Sequence, residues 1–160
     1  KERYEIVVIG TGKIAELFAR QRPFKAHLTF VAHRHYQKAR MLADCSGGAA
    51  LPLQELPRVL SSADIVIGAT ASPHYVLKKE HFDTYPVRRG YPLCIYDLAV
   101  PRDVEPAVGG IEGIYLHNLD NLEYLFCRYN RSLQDRIRSA SGLIEDELVV
   151  YQEVIHVEIH

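Results

Sequence analysis

The sequence predicts an α/β fold built on a parallel β-sheet, and three features indicate it. A largely apolar run, E-I-V-V-I over residues 5–9, leads directly into the glycine turn Gly10-Thr11-Gly12. Short β-branched runs then alternate with helical patterns. A long amphipathic helical pattern ends the chain. Apolar runs of this length are typical of strands that a parallel sheet buries on both faces, and the alternation is typical of β-α-β units.

Six strands and five helices are expected in order along the chain. Pro23 separates the first helix from the second strand, and Gly47-Gly48 end the second helix. Pro52 is expected to lie in an edge strand or at a strand end. The strands are predicted over 5–9, 28–32, 49–53, 65–69, 93–96 and 113–116, and the helices over 13–22, 35–43, 54–60, 78–84 and 122–155. This order predicts a Rossmann-like, doubly wound parallel sheet with a long C-terminal helix.

Composition narrows the classes of function. The 160 residues are enough for one domain with a substantial core, and a formal net charge of −1 gives no broad field for nucleic acid. No apolar stretch approaches the roughly 20 residues that cross a bilayer. Cys45, Cys94 and Cys127 lie far apart without a C-x-x-C pair, which favours reduced thiols in the cytoplasm over disulfides or a metal site.

The glycine turn has the spacing G-x-G-x-x-A. Gly10 would make the tight turn, and Gly12 would let a pyrophosphate approach backbone N–H groups at the start of a helix. Ala15 takes the third small position, where helix and strand pack closely. Because the motif follows a predicted strand and opens a predicted helix, we interpret it as a dinucleotide site. A purely structural turn is the alternative.

The end of the second strand is basic. Where an NAD-binding fold usually places an acid on the ribose, this chain has His33-Arg34-His35, and Lys38 follows on a helix. A guanidinium pairs bidentately with a 2′-phosphate, which a carboxylate would repel. The pattern therefore favours NADP(H) over NAD(H). A solvated, basic helix start is the alternative.

Two later loops are expected at the same edge of the sheet. Small and hydroxyl side chains over 70–72 leave room for the ribose and nicotinamide of a cofactor. In the loop over 97–106, Asp97 and Arg102 are charged candidates for facing a substrate, and a salt-bridged structural loop is the alternative. His74 could transfer protons, but a hydrogen-bonded loop histidine is more usual.

The helical pattern over 122–155 carries apolar residues in steps of three and four. Its later part has no obvious domain left to cover, so we expect it to meet another domain or a second chain. The sequence thus divides into an NADP(H)-binding domain over 1–120 and a helix over 121–160. The abrupt entry into the first strand suggests a piece of a longer protein.

Together these motifs resemble the NADPH-binding domain of glutamyl-tRNA reductases. The matching segments are V-I-G-T-G-K-I-A-E (8–16), A-H-R-H-Y-Q-K-A (32–39), A-D-I-V-I-G-A-T-A-S-P-H (63–74), D-L-A-V-P-R-D-V-E-P (97–106) and Y-L-H-N-L-D-N-L (115–122). The A-V-P-R-D segment is the most specific of them. One departure is that His33 and His35 stand where the family's N-R-T has Asn and Thr.

The resemblance implies NADPH as the cofactor and assigns residues to its parts. The pyrophosphate would contact Gly10, Thr11, Gly12, Lys13 and Ile14. The 2′-phosphate would contact Arg34, with His33, His35 and Lys38 nearby. The ribose would contact Thr70, Ala71 and Ser72, and the nicotinamide would lie against Asp97, Leu98, Ala99, Val100 and Pro101.

The resemblance also implies an NADP-dependent oxidoreductase that reduces a glutamyl thioester to glutamate-1-semialdehyde for tetrapyrrole synthesis. In that family a separate N-terminal domain supplies the catalytic cysteine, so we expect no catalytic residue here and an inactive isolated piece. Glutamyl-tRNA would bind through the missing domains, and the C-terminal helix would lead to a dimerisation domain. A free-standing NADP-binding module that pairs through this helix, and a domain of a shikimate-dehydrogenase-like enzyme, are the alternatives.

Overall fold

Six parallel strands form one sheet in the computed structural model, which describes residues 3–21, 25–84, 86 and 91–122. The strands are β1 (Tyr4–Ile9), β2 (Ala26–Ala32), β3 (Ala49–Pro52), β4 (Ile65–Gly68), β5 (Leu93–Asp97) and β6 (Ile114–Asn118). Their spatial order is β3-β2-β1-β4-β5-β6, and every neighbouring pair is parallel. The predicted doubly wound fold is confirmed, and β3 is an edge strand, as Pro52 indicated.

Helices connect these strands in the described residues. They are α1 (Lys13–Gln21), α2 (Tyr36–Ser46), α3 (Leu56–Leu60) and α4 (His81–Thr84), with 3-10 turns at Leu53–Glu55 and Pro106–Gly110. None of them has the length and apolar character that crossing a membrane requires. A glycine ends α2: Gly47 has a φ of 70° and donates its N–H to the Ala43 carbonyl.

The apolar core lies on both faces of the sheet, because successive strand residues point to opposite sides. On one face Val7 and Ile9 pack with Leu56 and Leu60 of α3. On the other face Ile6 and Val8 pack with the small residues of α1 and α2. Ala15, the third small position of the glycine motif, has no exposed surface.

Helix α2 extends to Ser46, three residues beyond its predicted end, and two other helices differ more from the sequence expectation. The helix predicted over 78–84 is only α4, because Leu77 pairs with Val104 in a parallel bridge and the Lys79 N–H donates to the Glu105 carboxylate at 2.9 Å. These contacts hold the residues before α4 in a non-helical path. The helix predicted over 54–60 begins as a 3-10 turn and becomes α-helical only at Leu56.

By its internal contacts the chain divides into two units, Lys1–Leu119 and Asp120–His160. Residues 119–122 are helical. The helix predicted over 122–155 lies outside the described residues after its first position, as does Cys127.

Candidate functional site

A cavity of about 560 Å³ opens where β1, β2 and β4 end, a size in the usual range of ligand sites. The sheet order reverses between β1 and β4, and open parallel sheets bind ligands in the crevice at that point. The residues that line the cavity are Ile9, Gly10, Thr11, Gly12, Val31, Ala32, His33, Arg34, His35, Leu53, Ala69, Thr70, Ala71, Ser72, Pro73 and Val76.

Gly10 is required by the fold itself. Its φ is +113°, and a Cβ there would lie 2.6 Å from the carbonyl oxygen of Ala69. The Gly10 N–H donates to the Val31 carbonyl at 2.9 Å, and the Ala69 N–H donates to the Ile9 carbonyl at 3.0 Å. The turn therefore lies directly against the ends of both neighbouring strands.

Gly12 has a different environment. A Cβ there would meet only the Ala69 carbonyl oxygen, at 3.9 Å. The space that Gly12 leaves open therefore belongs to the cavity and not to the protein core. Helix α1 starts at the next residue, and the first turn of any helix has N–H groups without intrahelical partners. This is a cradle that suits a phosphate and that a larger side chain would fill.

The basic strand end lies on the β2 side of this cradle. His33, Arg34 and His35 are exposed, and all three line the cavity. Lys38 is not among the lining residues. Its ammonium lies 2.7 Å from the Glu16 carboxylate, and this bond with Lys38 lowers the pKa of Glu16. Both partners are well solvated, so the pair contributes little to stability.

Residues 70–72 form the cavity wall on the β4 side. The Ser72 N–H donates to the Thr70 hydroxyl at 3.0 Å, and the Ser72 hydroxyl donates to the His74 carbonyl at 2.8 Å. The His74 N–H in turn lies 3.2 Å from the Ser72 hydroxyl oxygen. His74 is exposed and does not line the cavity, and these bonds involve its backbone; a proton-transfer role of its side chain stays a prediction.

Asp103, which sequence reasoning did not single out, has no exposed surface and supports this wall. One of its carboxylate oxygens accepts the Thr70 N–H at 2.7 Å, and the other accepts the Thr70 hydroxyl. Burial raises the pKa of Asp103, the bonds from Thr70 oppose this rise, and the nearby Asp97 charge adds to it. The only signal in the sequence was its position in the A-V-P-R-D segment.

Asp97 organises its own loop instead of facing the cavity. It is 2% exposed, and its carboxylate accepts N–H groups from Ala99 (3.2 Å), Asp103 (3.2 Å) and Val104 (3.1 Å). Arg102 is exposed. These backbone hydrogen bonds to Asp97 are closer to the structural-loop alternative than to a substrate-facing role.

The cavity thus brings together part of the predicted site: Gly10, Thr11, Gly12, His33, Arg34, His35, Thr70, Ala71 and Ser72. The predicted residues that do not line it are Lys13, Ile14, Lys38, Asp97, Leu98, Ala99, Val100 and Pro101. A role of the second group in cofactor binding stays a prediction. Sequence reasoning missed the apolar lining residues, such as Val31 and Leu53, whose only signal was their position at strand ends. Among the described residues, no cluster of three or more His, Cys, Asp or Glu side chains is placed to hold a metal ion.

The model of the family described as Shikimate / quinate 5-dehydrogenase matches residues 1–125. The chain belongs to this family. The chain is also similar to glutamyl-tRNA reductases: it is 38% identical over 151 residues to that of Thermus thermophilus and 37% identical over 148 residues to that of Methanothrix thermoacetophila. Each match covers 92% of this chain but only 37% and 36% of the respective relatives. The chain therefore spans little more than a third of the length of these relatives.

This member of the Shikimate / quinate 5-dehydrogenase family is also similar to solved structures of glutamyl-tRNA reductases. The glutamyl-tRNA reductase from Methanopyrus kandleri superposes with a TM-score of 0.73 at 29% identity, over 96% of this chain and 39% of that one. The nucleotide-binding domain of the Thermoplasma volcanium glutamyl-tRNA reductase superposes with a TM-score of 0.59 at 18% identity, over 82% and 86% of the two chains, and shows the shared fold. The resemblance to glutamyl-tRNA reductases that the sequence motifs indicated is confirmed.

Proposed function

We propose that this chain is the NADPH-binding domain of a glutamyl-tRNA reductase. The observation that carries the proposal is that one cavity is lined by both the glycine turn and the basic strand end. The relatives at 37–38% identity, which are glutamyl-tRNA reductases, support the choice of enzyme.

The residues of the cavity suit a phosphorylated dinucleotide. The pyrophosphate would lie over Gly12 and the first turn of α1, where a Cβ is absent and the helix dipole favours an anion. Arg34 would pair with the 2′-phosphate on the β2 side. Among the described residues that line the cavity there is no carboxylate to repel that phosphate.

When bound, NADPH supplies a hydride. The contribution of this chain is to bind and orient the cofactor, with residues 70–72 as the wall opposite the basic strand end. As part of the same proposal, the catalytic cysteine, the glutamyl-tRNA contacts and the dimer interface belong to further domains of a cytoplasmic parent enzyme. That enzyme would reduce the glutamyl thioester to glutamate-1-semialdehyde.

A second candidate is the cofactor domain of a shikimate-dehydrogenase-like enzyme, and the family match over 1–125 favours it. The same cavity would hold the same cofactor, and the two candidates differ in the substrate that meets it. The A-V-P-R-D segment and the similarity to glutamyl-tRNA reductases favour the first candidate.

The test is a titration of the chain with NADPH and with NADH. We expect tighter binding of NADPH, and Arg34→Ala should shrink the preference by about 1–3 kcal/mol, the scale of lost charge-assisted hydrogen bonds. Arg20→Ala is the matched control, because Arg20 lies in the last turn of α1, at the helix end away from the glycine turn. Equal affinities for the two nucleotides would refute the assignment of Arg34.

A further inference from the structure

The loop that begins at the end of β5 is joined to the cavity wall through one buried carboxylate. We propose that Asp103 is a positioning residue of the nucleotide site, which fixes Thr70 and through it the β4 side of the cavity. The inference rests on the proposed function, because it concerns how the same cofactor site is kept in shape.

Asp103 holds Thr70 at two points. Its carboxylate accepts both the backbone N–H and the side-chain hydroxyl of Thr70. These two bonds fix the backbone orientation and the side-chain rotamer of the same residue. Asp103 itself does not line the cavity, so its carboxylate can affect a ligand only through a neighbouring residue, and Thr70 is the lining residue that both carboxylate oxygens bind.

Thr70 transmits this position to the rest of the wall. Its hydroxyl oxygen also accepts the Ser72 N–H at 3.0 Å. Its Cγ2 methyl lies 3.3 Å from the point where a Cβ of Gly10 would stand. Gly10 has no side chain to contact this methyl, so a change in the Thr70 rotamer would disturb the wall over residues 70–72.

Asp103 is itself held in place from two directions. Its N–H donates to the Asp97 carboxylate at 3.2 Å, and its carbonyl accepts the N–H groups of Val76 (2.7 Å) and Leu77 (3.0 Å). Gly68 makes room for it, since a Cβ at Gly68 would lie 3.2 Å from the Asp103 Cβ. A buried carboxylate is costly unless hydrogen-bonded, so Thr70 and Asp103 depend on each other.

The sheet order places Thr70 and the basic strand end on opposite sides of the glycine turn. Strand β2 lies on one side of β1 and β4 on the other. A dinucleotide with its pyrophosphate at the turn would therefore extend one nucleoside toward Arg34 and the other toward Thr70. Loss of the Asp103 carboxylate should therefore weaken binding of the nucleoside beside Thr70 and leave binding of the nucleoside beside Arg34 unchanged.

The experiment compares NADPH with 2′,5′-ADP, a fragment that carries only the half expected beside Arg34. Asp103→Asn retains the size of the side chain but leaves a single acceptor oxygen for the two Thr70 donors. We expect about a tenfold loss of NADPH affinity, equivalent to about 1.4 kcal/mol, with 2′,5′-ADP affinity unchanged. The matched control is Asp83→Asn, an exposed aspartate on α4, which should change neither affinity.

The outcomes separate this inference from the proposed function. If the unmodified chain binds neither ligand, the proposed function fails. If it binds both, and Asp103→Asn weakens both equally or neither, the positioning role of Asp103 is overturned. If Asp103→Asn does not fold, Gly68→Ala, whose Cβ would lie 3.2 Å from the Asp103 Cβ, displaces Asp103 and decides the question by the same two titrations.

Discussion

The two glycines of the turn should respond differently to the same substitution. Alanine at Gly10 would have to adopt a φ of +113°, and its Cβ would overlap the Ala69 carbonyl oxygen at 2.6 Å. Strain at such a φ costs about 1–3 kcal/mol, and overpacking costs a similar amount, so Gly10→Ala should lower the free energy of unfolding by about 2–6 kcal/mol. Alanine at Gly12 would make only an ordinary contact at 3.9 Å, and its effect should stay within about 0.5 kcal/mol.

Urea unfolding of the two alanine variants measures this difference, and NADPH titration of Gly12→Val measures its functional counterpart. The larger side chain at Gly12 would occupy the cavity, so we expect a loss of affinity of about tenfold or more in a chain that folds normally, equivalent to at least about 1.4 kcal/mol. Equal destabilisation by the two alanines would contradict the assignment of Gly10 to the fold and Gly12 to the ligand. Unchanged NADPH binding by Gly12→Val would remove the pyrophosphate from this turn.

Two further predictions concern Asp103, which supports the cavity wall, and its neighbour Gly68. Gly68→Ala should destabilise the fold by about 1–3 kcal/mol, because the new Cβ would lie 3.2 Å from the Asp103 Cβ. Gly110→Ala is the control and should be nearly neutral, because a Cβ there would have no atom within 4 Å. Equal urea unfolding midpoints for the two variants would contradict this prediction. Asp103 should also make stability pH-dependent. Since burial raises its folded pKa, its contribution is fully present below the ordinary aspartate pKa and is lost as pH rises through the folded value. The stability of the unmodified chain relative to Asp103→Asn should therefore fall as pH rises above the ordinary aspartate pKa of about 4 in urea unfolding, and a difference that grows with pH would contradict the assigned direction.

Local patterns were enough to predict the sheet. Each strand is a short apolar run that ends at a glycine, proline or polar residue, and Pro52 indicated the edge strand β3. The path before α4 could not be predicted in this way. It depends on the bridge between Leu77 and Val104, which are far apart in sequence.

The sequence was enough to predict those residues of the candidate site that lie just after strand ends. Gly12, Arg34 and Thr70 each lie within three residues after the end of a strand, and parallel strands bring such positions to one edge. The roles of Asp97 and Asp103 depend on how their loop folds back on β4, and no local pattern encodes this. The sequence therefore indicated that the loop matters without showing which carboxylate supports the cavity.

A crystal structure of the chain with NADP⁺ tests the central claim most directly, since it locates each phosphate. We expect the pyrophosphate over Gly12 at the start of α1 and the 2′-phosphate within hydrogen-bonding distance of Arg34. A nucleotide bound elsewhere, or a 2′-phosphate turned away from Arg34, would contradict the proposed site.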